Sequence, residues 1–155
     1  MQKITPFLWY DKEAREAAEF YVSVFGEDSK IVSESTMTDT PSGTVEIITV
    51  NLRGVEMTLM SAGPLFKFSE AVSFVINCED QAEVDYFWEK LSAVPAAEQC
   101  GWLKDKFGVS WQVTPKGYEE IMNRPDKKKV AATVQAMLQM KKLDIAALEA
   151  AYDAG

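Results

Sequence analysis

Residues 44–52 (TVEIITVNL) and 55–61 (VEMTLMS) are two β-branched runs with only Arg53-Gly54 between them. A two-residue link permits little but a hairpin, so the chain must build an antiparallel sheet. The segment 3–10 (KITPFLWY) predicts another strand, and Pro6 makes it an edge strand or one that starts late, because proline cannot donate to a ladder. Residues 12–25 predict a helix in which Ala14, Ala17, Ala18, Tyr21 and Phe25 share one face, with Asp11 as N-cap and Gly26 as C-cap. Residues 29–38 predict a polar, Ser/Thr-rich strand, followed by turn chemistry at Asp39-Thr40-Pro41-Ser42-Gly43. The order is β-α-β-β-β.

Ala62-Gly63-Pro64 interrupts this series, and the pattern then begins again. Residues 71–78 (AVSFVINC) predict a strand and 80–93 a helix, with Val84, Phe87, Trp88 and Leu91 on one face and Asp80 with Glu83 as a capping box. Residues 98–104 and 109–114 predict two strands around a turn at Lys106-Phe107-Gly108, where Asp105 is expected as a turn residue. Only a stub of a further strand fits near Val94-Pro95-Ala96. The second half is therefore an abbreviated structural copy of the first. After Pro115 the chain turns helical: a short piece at 117–123, a helix capped by Asp126 with Val130, Val134, Met137 and Leu138 on one face, and a last segment capped by Asp144 that carries Ile145, Leu148 and Tyr152. The Met-rich stripe reads as core or subunit interface. These readings divide one domain of 155 residues into a first module at 1–62, a second at 70–115 and a helical tail at 116–155, in the α+β class.

The net charge is −8, and such a surface repels phosphate backbones and anionic lipid, so neither nucleic acid nor membrane is expected as a partner. Lys127-Lys128-Lys129 reads as a solvated helix start. The N-terminal residues turn charged after ten positions, which fits neither a signal-peptide core nor the roughly 20 apolar residues of a membrane span. Two cysteines, Cys78 and Cys100, make no disulfide scaffold, and a reducing cytoplasm is the expected location. The chain contains no histidine, which removes the commonest general base and metal ligand. Without a histidine to activate either thiol, both cysteines read as structural, although Lys104 is close to Cys100 in sequence.

The segment from Cys100 to Gln112 (CGWLKDKFGVSWQ) resembles the signature of the PhnB-like branch of the glyoxalase/bleomycin-resistance (vicinal oxygen chelate) superfamily. ITPFLWYDKEAREAAEFYVSVF resembles that branch's first strand and helix, SFVINCEDQAEVDYFWEKL the start of its second module, and AMLQMKKLDIAALEAA its C-terminal tail. The resemblance covers nearly the whole chain. It implies paired βαβββ modules whose curved sheet forms a cup, a homodimer, and the name 3-demethylubiquinone-9 3-methyltransferase often given to the branch. The residues do not support methyl transfer: a donor such as S-adenosylmethionine is commonly held by a glycine-rich strand-to-helix turn, and no Gly-x-Gly occurs here.

Metalloenzymes of the superfamily place His or Gln and Glu ligands on equivalent strands of the two modules. Carried over, those positions fall at Ile4 or Pro6, Glu56 or Thr58, Ala71, and Gln112. One carboxylate and one amide fall short of the three protein ligands of a typical catalytic site, so no metal or other cofactor is expected. Strand alternation turns Val109, Trp111 and Val113, with Phe74 and Ile76, toward the helices. It turns Glu56, Thr58, Ser73, Ser110 and Gln112 toward the cup, where a few polar groups among apolar ones suit a small organic ligand. Glu56 is the candidate catalytic residue: burial would raise its pKa and suit it to general-base work, whereas a solvated strand carboxylate would do nothing. Trp9, Trp102 and Trp111 are expected in the core. The leading expectation is a small-molecule-binding or sequestering dimer. The alternatives are an enzyme of the superfamily (lyase, isomerase, dioxygenase-like, or the methyltransferase of the family name) and a dimeric interaction protein whose cup is filled by its own side chains.

Overall fold

The computed structural model describes residues 2–155, which pack as two compact units, the first ending at Phe68 and the second running Ser69–Gly155. The first contains β1 (Phe7–Tyr10), α1 (Ala14–Phe25), β2 (Lys30–Thr40), β3 (Gly43–Leu52) and β4 (Val55–Ser61). Their sheet has the order β1-β4-β3-β2, with β1 parallel to β4 and the other pairs antiparallel. The hairpin forms as expected, with Arg53 and Gly54 both at positive φ. β1 starts after Pro6, as its missing donor requires.

Helix α1 buries Ala14, Ala17, Ala18, Tyr21 and Phe25, the face expected from periodicity. It covers Leu8 and Tyr10 of β1, Ile48, Val50 and Leu52 of β3, and Met57 and Leu59 of β4. Alternation then points Phe7, Trp9, Ile47, Thr49, Glu56, Thr58 and Met60 to the opposite face, which carries no helix of this unit. Inside the core the Tyr10 and Tyr21 hydroxyls lie 3.2 Å apart. Asp11 is not the N-cap. Glu13 occupies that position without a side-chain cap bond, and the Ala14 amide instead donates to Ser61 Oγ on β4 at 3.0 Å. Gly26 ends the helix at φ 83, and its amide donates to the Val22 carbonyl.

The second unit repeats the wiring with one strand fewer. It contains β5 (Ser73–Cys78), α2 (Gln81–Leu91), a short 3-10 turn (Pro95–Ala97), β6 (Trp102–Lys104) and β7 (Ser110–Pro115). The sheet order is β5-β7-β6, with β5 parallel to β7 and β6 antiparallel to it. This is the β1-β4-β3 arrangement without an equivalent of β2. The expected strand stub near 94–96 is corrected: Pro95 starts a 3-10 turn, a conformation its fixed φ favours. Asp80 caps α2 by accepting from the Glu83 amide, while Glu83 Oε2 accepts from the Glu79 amide, one residue earlier than in a standard box. Val84, Phe87 and Leu91 are buried, on the side of Ile76, Leu103, Trp111 and Val113.

The tail supplies α3 (Gly117–Met122), α4 (Lys127–Met137) and α5 (Ile145–Ala154). Asp126 and Asp144 cap α4 and α5 as expected. Of the face expected on α4, Val130, Val134 and Met137 are half-buried beside the fully buried Thr133, whose hydroxyl donates to the Lys129 carbonyl, whereas Leu138, the C-cap, is 43% exposed. The strap 140–143 ties the tail to the module. The Cys100 and Gly101 amides donate to the Met140 and Lys141 carbonyls at 2.9 and 2.7 Å, and Gln81 Nε2 donates to the Leu143 carbonyl at 3.0 Å. No helix among the described residues is long and apolar enough to cross a membrane.

Candidate functional site

Each sheet leaves one face without a helix of its own unit, and the candidate residues lie on these two faces. On the first, Thr58 is level with Phe7 of β1 and Thr49 of β3, and the two threonine hydroxyls are 3.2 Å apart. Glu56 sits two residues along β4, paired in register with Asn51 and half-buried. Its main chain exchanges two bonds with the Gln2 amide, at 3.0 and 3.1 Å. Trp9 and Met60 continue the floor, and Trp9 Nε1 donates to the Gly63 carbonyl at 2.8 Å while its ring meets Phe66 edge-on. The face thus combines a hydroxyl pair with an apolar and aromatic surface.

On the second face, Gln112 Nε2 donates to Ser73 Oγ at 2.9 Å. Gln112 is flanked in register by Trp102 on β6 and Val75 on β5. One row further, Ser110 lies between Lys104 and Ser73; Ser110 itself is 2% exposed. Lys104 forms an ion pair with Glu70, and the Lys104 ammonium is the main cause holding that carboxyl below its ordinary range. Ser73 and Gln112 are therefore brought together, as are Thr58 and Thr49, whereas Glu56 meets Gln2 through its main chain.

Sequence reasoning missed Lys104, Glu70 and the orientation of two tryptophans. Trp111 is in the core as expected, 3% exposed, with its indole N–H donating to the buried Asp105. Trp9 and Trp102 are half-buried on the helix-free faces, a correction to the expectation that both are core. The alternation that placed Gln112 also places Trp102, once β6 and β7 are paired. No local signal links Glu70 to Lys104 across 34 residues. Asp105 is a turn residue as expected, but a buried one. Its Oδ1 accepts from the Phe107 and Val109 amides and its Oδ2 from Trp111, which closes the β6–β7 connection.

The residues present do not fit a catalytic metal. Ile4, Pro6 and Ala71 stand outside the strands and carry no donor, and the remaining positions offer only the Glu56 carboxylate or Thr58 hydroxyl and the Gln112 amide oxygen, short of the three protein ligands of a typical catalytic site. Among the described residues no three His, Cys, Asp or Glu side chains gather in a metal-binding group. Nor do the strand-to-helix turns fit a methyl donor: Asp11-Lys12-Glu13 and Glu79-Asp80 are acidic and contain no glycine to admit a ligand close to the backbone.

The 3-demethylubiquinone-9 3-methyltransferase family model matches residues 2–114. The chain belongs to this PhnB-like family. The PhnB protein from Bacillus cereus is 34% identical, with a TM-score of 0.60 over 74% of this chain and 99% of its own. Protein PA1353 from Pseudomonas aeruginosa is 19% identical, with a TM-score of 0.57 over 74% and 98%. The fosfomycin resistance protein FosX from Listeria monocytogenes is 13% identical, with a TM-score of 0.57 over 79% and 98%, a likeness of fold alone. These neighbours place the PhnB-like family in the glyoxalase/bleomycin-resistance, or vicinal oxygen chelate, fold. No curated protein matches the chain significantly. The tail from 115 onward lies beyond the family model.

Proposed function

We propose that this PhnB-like protein binds a small organic ligand without a resident metal, and does so as a cytoplasmic homodimer. The observation that carries the reading is the Gln112–Ser73 pair, an amide and a hydroxyl held together between Trp102 and the exposed Val75. Such a combination of few polar groups on an apolar surface is the chemistry of a ligand site. Thr49–Thr58 beside Phe7 and Trp9 supplies a second surface of the same kind on the first sheet. The FosX likeness shows that this fold serves small-molecule resistance elsewhere. Cys78 and Cys100 are not joined in a disulfide, which suits a reducing compartment.

The test is a thermal-shift screen across aromatics, quinones and antibiotics, because a ligand that binds only the folded state raises the melting temperature by mass action. A hit whose shift disappears in Gln112→Ala supports the reading, and a screen without hits overturns it. Stoichiometric metal in untagged protein, lost in Glu56→Ala, would overturn the metal-free part. A monomer mass in sedimentation at micromolar concentration would overturn the dimer.

A further inference from the structure

The helix-free face of the second sheet is arranged in two rows. Trp102, Gln112 and Val75 lie side by side across β6, β7 and β5, and Lys104, Ser110 and Ser73 form the next row. The rows are two residues apart, about 7 Å along the strands. The row that carries an indole and a valine that is 52% exposed therefore adjoins the row that carries a lysine. Gln112 has committed one N–H to Ser73, leaving its carbonyl oxygen and second N–H for another partner.

The ion pair at the end of the second row is asymmetric. The Lys104 side chain is 24% exposed and that of Glu70 is 62% exposed. Lys104 is anchored in β6, whereas Glu70 belongs to the segment before β5. The cation is thus the fixed, partly desolvated member and the carboxylate the solvated one. A solvated surface partner is weakly held, so an outside anion of better fit can take its place.

We propose that this face binds a planar aromatic anion, its ring against Trp102 and Val75, its oxygens on Lys104 in place of Glu70, and its edge bonded to Gln112. The proposal rests on the small-molecule reading above and names the ligand class. An aromatic ring suits the indole and valine surface, and charge complementarity to Lys104 selects an anion over a neutral analogue.

Calorimetric titration of the full-length protein with 2-naphthoate and with its neutral analogue 2-naphthamide tests it. Naphthoate is expected to bind about tenfold more tightly than naphthamide, and Lys104→Met to abolish that difference. Glu70→Gln is expected to tighten naphthoate binding several-fold, a gain that a merely structural ion pair would not produce. Equal affinity for the two probes, no binding of either, or weaker naphthoate binding in Glu70→Gln overturns the proposal. The two readings fail separately. If the thermal screen yields a Gln112-dependent hit while naphthoate does not bind, only the anion is wrong, and a screen without hits removes the site itself.

Discussion

Asp105 is 1% exposed and accepts from two backbone amides and the Trp111 indole, at 2.9, 3.0 and 2.9 Å. Removing the carboxylate strands three donors around a buried gap. Asp105→Ala is therefore expected to cost about 3 kcal/mol of unfolding free energy, measured by urea denaturation, and Asp105→Asn, which keeps one acceptor oxygen, about half of that. A loss near zero for the alanine variant would mean that water replaces the carboxylate. A second residue-scale expectation concerns acid. The Ser92 hydroxyl, with Lys141, holds the Glu98 carboxyl below its ordinary value of 4.5. A depressed folded pKa gives stability that is full above that ordinary value and is lost as pH falls through the folded one. Denaturation midpoints measured between pH 7 and pH 3 should therefore fall less in Glu98→Gln than in the parent; equal slopes would remove Glu98 from the acid response. Asp105 shows how far a sequence can be read at this scale. Its place before Phe107-Gly108 predicts a turn, but its burial depends on Trp111 folding back over it, a tertiary fact without local signature.

At the level of elements, period and turn chemistry carried most of the reading. The Arg53-Gly54 hairpin, the apolar face of α1 and the caps at Asp80, Asp126 and Asp144 all form where residue type requires. The misreadings share a cause. Asp11 as N-cap and the strand stub at 94–96 each rest on local propensity, and each is settled by something distant or by backbone constraint: Ser61 taking the amide at the start of α1, and Pro95 fixing φ. The candidate site divides in the same way. Thr58, Ser73 and Gln112 were legible because strand alternation is a local rule, while Trp102 needed the β6–β7 pairing and Lys104–Glu70 a contact between distant segments. The turn into β6 offers a test. Gly101 has φ 84, and an added Cβ would meet Leu143 and the Val113 carbonyl at 3.1 Å. Gly101→Ala is expected to cost about 2 kcal/mol from the left-handed backbone and that contact together. An unchanged denaturation midpoint would show that the strap 140–143 yields without cost.

Across the whole molecule, the second module is short of a strand, and the tail joins its compact unit rather than standing apart. A three-stranded sheet covered by one helix has a small core, and small cores are marginal. Leu143 and Leu148 are 2% and 0% exposed, so the tail adds apolar burial to this unit. It also adds backbone bonds at Cys100 and Gly101 and the paired contacts of Arg124 with Glu149. Leu148→Ala should then cost about 3 kcal/mol, since truncating a fully buried leucine removes its transfer energy and leaves a cavity. The loss should also be local. Leu148 belongs to the second unit, and the core between α1 and β1–β4 is built from Leu8, Tyr10, Ile48, Val50, Met57 and Leu59 without it. Hydrogen exchange of the variant should accelerate at the Cys100, Gly101 and Ile145 amides, which bond across the strap and its contact with Gln81. Protection in β3 and β4 should remain at the parent level. Equal acceleration in both sheets would show that the chain unfolds as a single cooperative block, and the tail would then stabilise the whole molecule rather than the abbreviated module.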